Sequence, residues 1–368
     1  MKITGARVAT GATTSQYNDL RFVGPDLDLD LSGHLILPGL INAHDHLELN
    51  LFPPLGTRIY SNAADWAADI YHPEKSPVRE HVAVPKRLRL LWGAIKNLVC
   101  GVTTVAHHNP YQPEIFDGRF PVRVLKEFGW AHSLAFSPDL TDRFLKTPEH
   151  WPFCIHAAEG TDASARLEIS RLHKLGILSR RTVLIHANGA GPDEIELIRS
   201  TGCSVAWCPG SNLATYGSTL SPHALHGIPM ALGTDSSLTA GTDLLDELRT
   251  GREHGASPHD LYRMITCTAS AIFRLPPNRN HFVAVQDKGQ SPAEAIFHLN
   301  PELVIVSGEI RLISHRLSKM NPKLSESFHT IAIENRGSWL IDANVPQLMR
   351  ETAEHLGTGF RLAGKLVS

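Results

Sequence analysis

Leu37-Pro38-Gly39-Leu40-Ile41-Asn42-Ala43-His44-Asp45-His46 is an apolar run that ends in two histidines separated by one residue. On a β-strand, positions i and i+2 face the same way, so both imidazoles point to one side at the strand's C-terminal end. Alone, such a pair reads equally well as two satisfied histidines in a turn, because short motifs match by accident. Three later apolar runs close on matching groups: Cys154-Ile155-His156-Ala157-Ala158-Glu159, Leu184-Ile185-His186-Ala187-Asn188 and Leu232-Gly233-Thr234-Asp235-Ser236. In a parallel barrel the C-terminal strand ends converge on one rim, which would make these distant residues neighbours. One shared site is a more economical reading than four separate accidents.

The surrounding sequence supports a barrel. Short apolar runs alternate with helical stretches, the pattern of βα units. Barrel strands are expected near Gly39 to Ala43, Val102 to Ala106, Ala131 to Phe136, Phe153 to Ala157, Val183 to Ala187, Ser204 to Cys208 and Met230 to Thr234. That is one short of eight, and a stunted or irregular fourth strand is expected between Phe136 and Pro152. Helices are expected over Leu88 to Val99, Val122 to Phe128, Ala163 to Leu175, Pro192 to Ser200 and Leu244 to Glu253, with helix spacing again from Leu261 to Phe273.

Both ends of the chain read differently. Asp26-Leu27-Asp28-Leu29-Asp30-Leu31 has the period of two of a strand with one wet face, and Leu303 to Val306, Thr330 to Ile333 and Trp339 to Ile341 read as strands beyond Pro276-Pro277. The expected architecture is α/β: a TIM (β/α)8 barrel over residues 37–279, with a small β-sandwich-like layer built from residues 1–36 and about 280–368. No internal repeat or charged linker separates the two.

Among 368 residues, 42% are hydrophobic and 20% charged, ample material for a core. A formal net charge of -2 offers no basic footprint for nucleic acid. No apolar run is long enough to span a bilayer and no signal peptide opens the chain, so a cytoplasmic protein with a small-molecule substrate is expected; whether it forms a homo-oligomer is left open. The five cysteines are odd in number and widely spaced, which reads as reduced thiols. Histidine is abundant at 21, a compositional hint of metal or acid-base chemistry.

With the pattern His44-x-His46, His156-x-x-Glu159, His186 and Asp235 in view, the chain resembles the amidohydrolase superfamily, in particular its cytosine, guanine and adenosylhomocysteine deaminases and chlorotriazine hydrolases. Trp207-Cys208-Pro209-Gly210-Ser211-Asn212 resembles a further turn of that branch. The resemblance implies one divalent metal held by His44, His46, His156 and Asp235. Such a donor set suits Zn²⁺ and would also accept Fe²⁺, Mn²⁺ or Co²⁺. Binuclear relatives use a carboxylated lysine on the fourth strand; Ala131 to Asp139 contains no lysine and Lys146 sits in a polar segment, which favours one metal.

The resemblance also assigns roles. Glu159 leaves its strand and would pass the proton of a metal-activated water to the leaving group. His186 would stabilise developing charge, or act as a fifth ligand. Asp235 would both hold metal and orient the nucleophile. Asp45, between the two histidines, points away from the metal as a structural acceptor. One of His107 and His108 faces the lumen by alternation and is a candidate substrate contact. The long connection from Glu48 to Arg87 carries Arg58, Tyr60, Trp66, Tyr71 and His72 and reads as a substrate lid, with Trp66 a third candidate contact, or as a dimer contact. His132 and His173 read as bland.

The expected reaction is hydrolytic deamination of a small nitrogen heterocycle. The rivals are opening of a cyclic amide, hydrolysis of another C–N or a C–Cl bond at the same site, and a metal-binding protein without catalysis.

Overall fold

The structure, a computed structural model, describes residues 1–21, 27–276 and 280–368. Eight parallel strands form the centre: Leu40–Asp45, Val102–His107, Arg123–Val124, Gly129–Ala131, Phe153–Ala157, Thr182–His186, Ser204–Trp207 and Met230–Leu232. The first three make one hydrogen-bonded run and the last five another. The chain is drawn together between the eighth and first strands, where Thr234 and Asp235 both donate backbone N–H groups to the His44 carbonyl, at 2.9 and 3.0 Å.

Side-chain alternation builds two cores. Ile41, Ala43, Ala106, Cys154, Val183, Ile185, Ala206 and Ala231 pack into one buried cluster inside the strands. Their neighbours Phe153, Ile155, Leu184, Val205 and Leu232 belong to a larger cluster that includes Leu88 and Ile95 of helix Lys86–Leu98, Ile169 and Leu172 of helix Ala163–Lys174, and Leu248 of helix Leu244–Glu253. Strands covered on both faces by apolar groups are what a parallel sheet wrapped in helices requires. The α/β barrel expected from the sequence is present.

Three local expectations are corrected. The missing strand is not between Phe136 and Pro152, where Leu140–Lys146 forms a helix. It is Arg123–Val124, within the stretch expected to be helical. Val122, Val124, Leu125 and Phe128 are all buried and their spacing imitates a helix face, yet Val124 pairs with Val105 of the second strand. The strand expected over Ala131 to Phe136 is only Gly129–Ala131, because the Ser137 and Ser133 hydroxyls capture the backbone N–H groups of His132 and Phe136 and turn the chain. The helical pattern from Leu261 to Phe273 divides into Pro258–Met264 and Cys267–Ile272, with Thr266 between them bonding the Tyr262 carbonyl.

The terminal segments interleave. Strands His34–Pro38 and Phe282–Gln286 pair antiparallel in the middle of an eight-stranded sheet. That sheet runs from Ser15–Tyr17 and Arg7–Ala9 at one side to Gly337–Ile341 and His329–Ile333 at the other. Asp28–Asp30 keeps the period of two, with Leu29 buried between exposed aspartates. Asp26 and Pro277, and the expected boundary at Arg279, lie outside the described residues. The tail also carries a helix, Val345–Leu356, opened by the Asn344 side chain. It is tied to the barrel by Arg336, which holds the buried Asp243 carboxylate at 2.7 and 3.0 Å.

The connection from Glu48 to Arg87 is ordered by two helices. Asn62 caps the alanine-rich helix Ala63–Ile70, and Val78–Ala83 follows. The Ala63 N–H donates to the Glu159 carbonyl at 3.0 Å, and the Asn62 amide donates to Asp162 at 2.7 Å. This fastens the connection over the loop that carries Glu159. No helix among the described residues is long and apolar enough to cross a membrane.

Candidate metal centre

The strand ends meet. Ring nitrogens of His44, His46 and His156 and a carboxylate oxygen of Asp235 all lie within 4.8 Å of one another, and all four residues are buried. His44 Nε2 stands 3.2 Å from His156 Nε2 and 3.5 Å from Asp235 Oδ1, and His46 Nε2 is 3.6 Å from the same oxygen. The pairing of the first strand with the second is irregular between Asn42 and Asp45, and this shift lets His44 and His46 turn to the site although Ile41 and Ala43 line the interior before them. Gly233 permits the close approach of the eighth strand: a Cβ there would meet His44 Cβ at 2.7 Å and Cys208 Sγ at 3.0 Å.

Asp45 faces the other way. Its carboxylate accepts from Asn50 at 2.8 Å and Asn97 at 2.7 Å and pairs with the buried Lys96 ammonium at 2.9 Å. Lys96 also reaches Thr234 Oγ1 at 3.0 Å, so one polar network supports both the first strand and the turn that presents Asp235. Asp235 has φ 53° and His186 φ 70°, left-handed conformations that cost about 1 kcal/mol or more each and persist where their surroundings enforce them.

Burial decides the charge states. Desolvation lowers the His44 pKa to about 4 and takes His156 well below its ordinary value, so both imidazoles are neutral, with lone pairs to offer. His156 Nδ1 donates to the His132 carbonyl at 2.8 Å, which leaves Nε2 as the atom that faces His44. Burial pushes the Asp235 carboxyl upward, but the hydrogen bond with His44 and the neighbouring imidazoles outweigh it and hold it below the usual carboxylate range. Ser211 donates to Asp235 Oδ2 at 2.7 Å.

Glu159, His186 and His156 form a second cluster beside the first. His186 Nε2 is 3.7 Å from Glu159 Oε1 and 3.9 Å from Asp235 Oδ2, and it is buried without a hydrogen-bond partner among the described residues. Its Nδ1 lies 2.8 Å from Asn212 Oδ1. Burial raises the pKa of Glu159, whose Oε1 accepts from the Tyr216 hydroxyl at 2.7 Å.

A cavity of about 780 Å³ opens over these groups, lined by His46, His156, Glu159 and Asp235 and walled by Ala63, Ala64, Trp66, Ala67 and Tyr71 of the ordered connection. Trp66 therefore borders it, whereas His107 and His108 do not. His108 is buried among the histidines, 4.5 Å from the His156 ring centroid, with Nε2 on the Ala131 carbonyl. His107 is turned toward Glu48. His132, read as bland, stacks on His156 at 4.8 Å and lines the cavity, while His173 is exposed on its helix. Glu48, Arg89, Asn109 and Tyr216 were not singled out as site residues: the first three line the cavity and Tyr216 reaches Glu159. For Glu48 the signal was its place two residues after His46; for Tyr216 none was legible.

No protein-family model matches the chain. It is 24% identical over 280 residues to 5-methylthioadenosine/S-adenosylhomocysteine deaminase of Pyrococcus furiosus, covering 61% of this chain and 64% of that one. It is 31% identical over 124 residues to aminodeoxyfutalosine deaminase of Deinococcus radiodurans, covering 32% and 30%. Among solved structures it overlays on a zinc complex of atrazine chlorohydrolase from Arthrobacter aurescens TC1 with a TM-score of 0.71 at 17% identity, covering 96% of this chain and 99% of that one. A zinc-bound adenosine deaminase from Xanthomonas campestris gives 0.62 at 15% identity, covering 96% and 98%.

The chain is similar to the deaminase and chlorohydrolase branch of the amidohydrolase superfamily. The likeness to solved structures concerns the fold. Two of the alignments to curated deaminases span under two thirds of the relative's own length, 64% for the Pyrococcus enzyme and 58% for its counterpart in Nitratidesulfovibrio vulgaris.

Proposed function

We propose that the chain is a metal-dependent hydrolase that deaminates a small nitrogen heterocycle, with one divalent ion held by His44, His46, His156 and Asp235. The observation that carries this is the convergence of three imidazoles and one carboxylate beside the Glu159–His186 pair, on a ligand-sized cavity. The donor set fits the ion. Two imidazole nitrogens 3.2 Å apart need a shared proton or a cation between them, and Asp235 with a third imidazole favours the cation. Three nitrogens and an oxygen suit zinc, the metal in the two structures of similar fold.

Held by His44, His46, His156 and Asp235, a divalent ion would supply Lewis acidity for the activation of water. Glu159, buried and held by Tyr216, takes the water proton and delivers it to the departing nitrogen, so that a C–O bond replaces the C–N bond and ammonia leaves. His186 donates Nδ1–H to Asn212 Oδ1, which directs Nε2 at the same space, where it takes up a proton and then stabilises negative charge on the substrate. Helix Ala63–Ile70 covers the site and excludes water. The relatives named for adenosine-type deamination support a purine-like substrate. We read residues 1–36 and about 280–368 as a small β-sandwich-like domain packed on the barrel of residues 37–279.

The test is ammonia release by the metal-loaded protein across purines, adenosine derivatives, pyrimidines, pterins and triazines. Ring opening or chloride release without ammonia would replace deamination by another hydrolysis at the same site. Inertness toward every member would leave a metal-binding protein.

A further inference from the structure

Glu48 is a buried carboxylate that the hydrolytic chemistry does not use. It lies in the turn Leu47–Leu49, directly after His46, and its side chain is 9% exposed. Its Oε1 is 3.7 Å from the Lys86 ammonium. Its Oε2 has no hydrogen-bond partner among the described residues. The group nearest to that oxygen in an ion-pair sense is His107 Nε2, at 3.4 Å. His107 Nδ1 accepts the Leu47 N–H at 3.2 Å, so a neutral His107 carries its proton on Nε2 and faces Glu48 with it. That nitrogen is likewise buried without a partner of hydrogen-bond geometry.

His107 and Asn109 both approach the Glu48 carboxylate, yet Oε2 keeps no partner of hydrogen-bond geometry among the described residues. Buried polar atoms are nearly always satisfied, and an exception next to a cavity points to a group that arrives with a ligand. Glu48 lines the same cavity as His46, His156, Glu159 and Asp235, and Asn109 and Arg89 lie beside it. A carboxylate is acceptor-only, so the partner it lacks is a hydrogen-bond donor. Since Glu48 follows the end of the first strand whereas Glu159 follows the fifth, the two carboxylates approach a bound molecule from different strand ends.

We propose that Glu48 binds the substrate, its Oε2 accepting a hydrogen bond from an exocyclic amine other than the one expelled. The inference takes its ligand class from the deamination reading, but its test does not depend on turnover. The pocket thereby selects heterocycles that carry this second donor, because a site built to bond an N–H leaves its own group unsatisfied when the N–H is missing. His107 holds the carboxylate in place.

Matched pairs that differ by one amine separate the possibilities: 2,6-diaminopurine against adenine, guanine against hypoxanthine, and diamino- against monoamino-1,3,5-triazine. An adenosine and 2',3'-dideoxyadenosine pair serves as the hydroxyl arm. Dissociation constants are measured calorimetrically on metal-loaded protein, with KM taken instead where ammonia is released. The expected result is a preference of tenfold or more for the amine-bearing member of at least one pair, reduced in Glu48→Gln and absent in Glu48→Leu, with metal content unchanged. Binding with this preference but without ammonia would sink deamination and leave the Glu48 assignment standing. Persistence of the preference in both variants, discrimination only in the hydroxyl arm, failure of every amine-bearing member to bind, or loss of metal from both variants would each overturn it.

Discussion

The Tyr216 hydroxyl donates to Glu159 Oε1 at 2.7 Å, joining the end of helix Pro209–Tyr216 to the loop after the fifth strand. Both groups are buried, and burial raises the pKa of each, so the phenol remains a donor and the carboxyl holds a proton more readily than an exposed one. Tyr216→Phe removes one neutral-to-charged hydrogen bond, worth about 1.5 kcal/mol, or roughly tenfold in rate if it only orients Glu159. The expected outcome is a fall in kcat of that size with metal content unchanged. Equal activity in the variant would show that Glu159 is positioned by other contacts.

Asp235 is the one carboxylate in the four-residue cluster. Asp235→Ala is expected to lower metal content and rate together, read by elemental analysis and turnover. His44→Ala and His46→Ala should resemble each other, since their Nε2 atoms lie 3.5 and 3.6 Å from the same Asp235 oxygen. Full occupancy in the aspartate variant, or metal loss in only one histidine variant, would argue against a shared ion.

The barrel was legible where strands are long and buried on both faces. Phe153–Ala157 forms over the very residues expected of it, because parallel strands under helices are written as largely apolar segments. Arg123–Val124 was illegible for the opposite reason: two paired residues leave no period, and Val122, Val124, Leu125 and Phe128 imitate a helix. The convergence of His44, His46, His156 and Asp235 followed from strand ends meeting at one rim. The Glu48–His107 and Tyr216–Glu159 contacts depend on how turns and a short helix fold back, which no local spacing encodes.

Arg336 links the tail hairpin to the N-terminus of helix Leu244–Glu253 through Asp243, and both side chains are buried. Burial pushes the Asp243 carboxyl up, but the Arg336 hydrogen bonds and the Lys365 charge prevail and hold it at about 2. A depressed folded-state pKa stabilises above the unfolded value near 4, and that stability is lost as pH falls through about 2. Arg336→Ala should cost about 3 kcal/mol near neutrality, as the buried Asp243 is left with Lys365 at 3.4 Å as its counter-charge and the backbone N–H groups of Leu245 and Asp246 as its donors. Denaturant unfolding should show the gap between wild type and variant shrinking from pH 4 toward pH 2. A gap that does not change with pH would mean that lost packing, not charge, accounts for the cost.

Glu159 separates proton transfer from metal binding most sharply. It is three residues from His156, yet its Oε1 is directed at Tyr216 and His186, and it is absent from the four-residue cluster that gathers around His44. Glu159→Gln keeps the shape of the side chain and can still bond Tyr216, so fold, metal content and ligand affinity should be retained. An amide cannot carry a proton from water to a leaving group, and turnover should fall by about 10² or more, the usual scale of general acid-base catalysis. Metal lost along with activity would make Glu159 a ligand, drawing the His156–Glu159–His186 cluster into the metal site. Turnover near that of the wild type would mean that the proton leaves by another route. His186 is then the first residue to test, because its Nε2 is the buried basic atom that faces both Glu159 and Asp235.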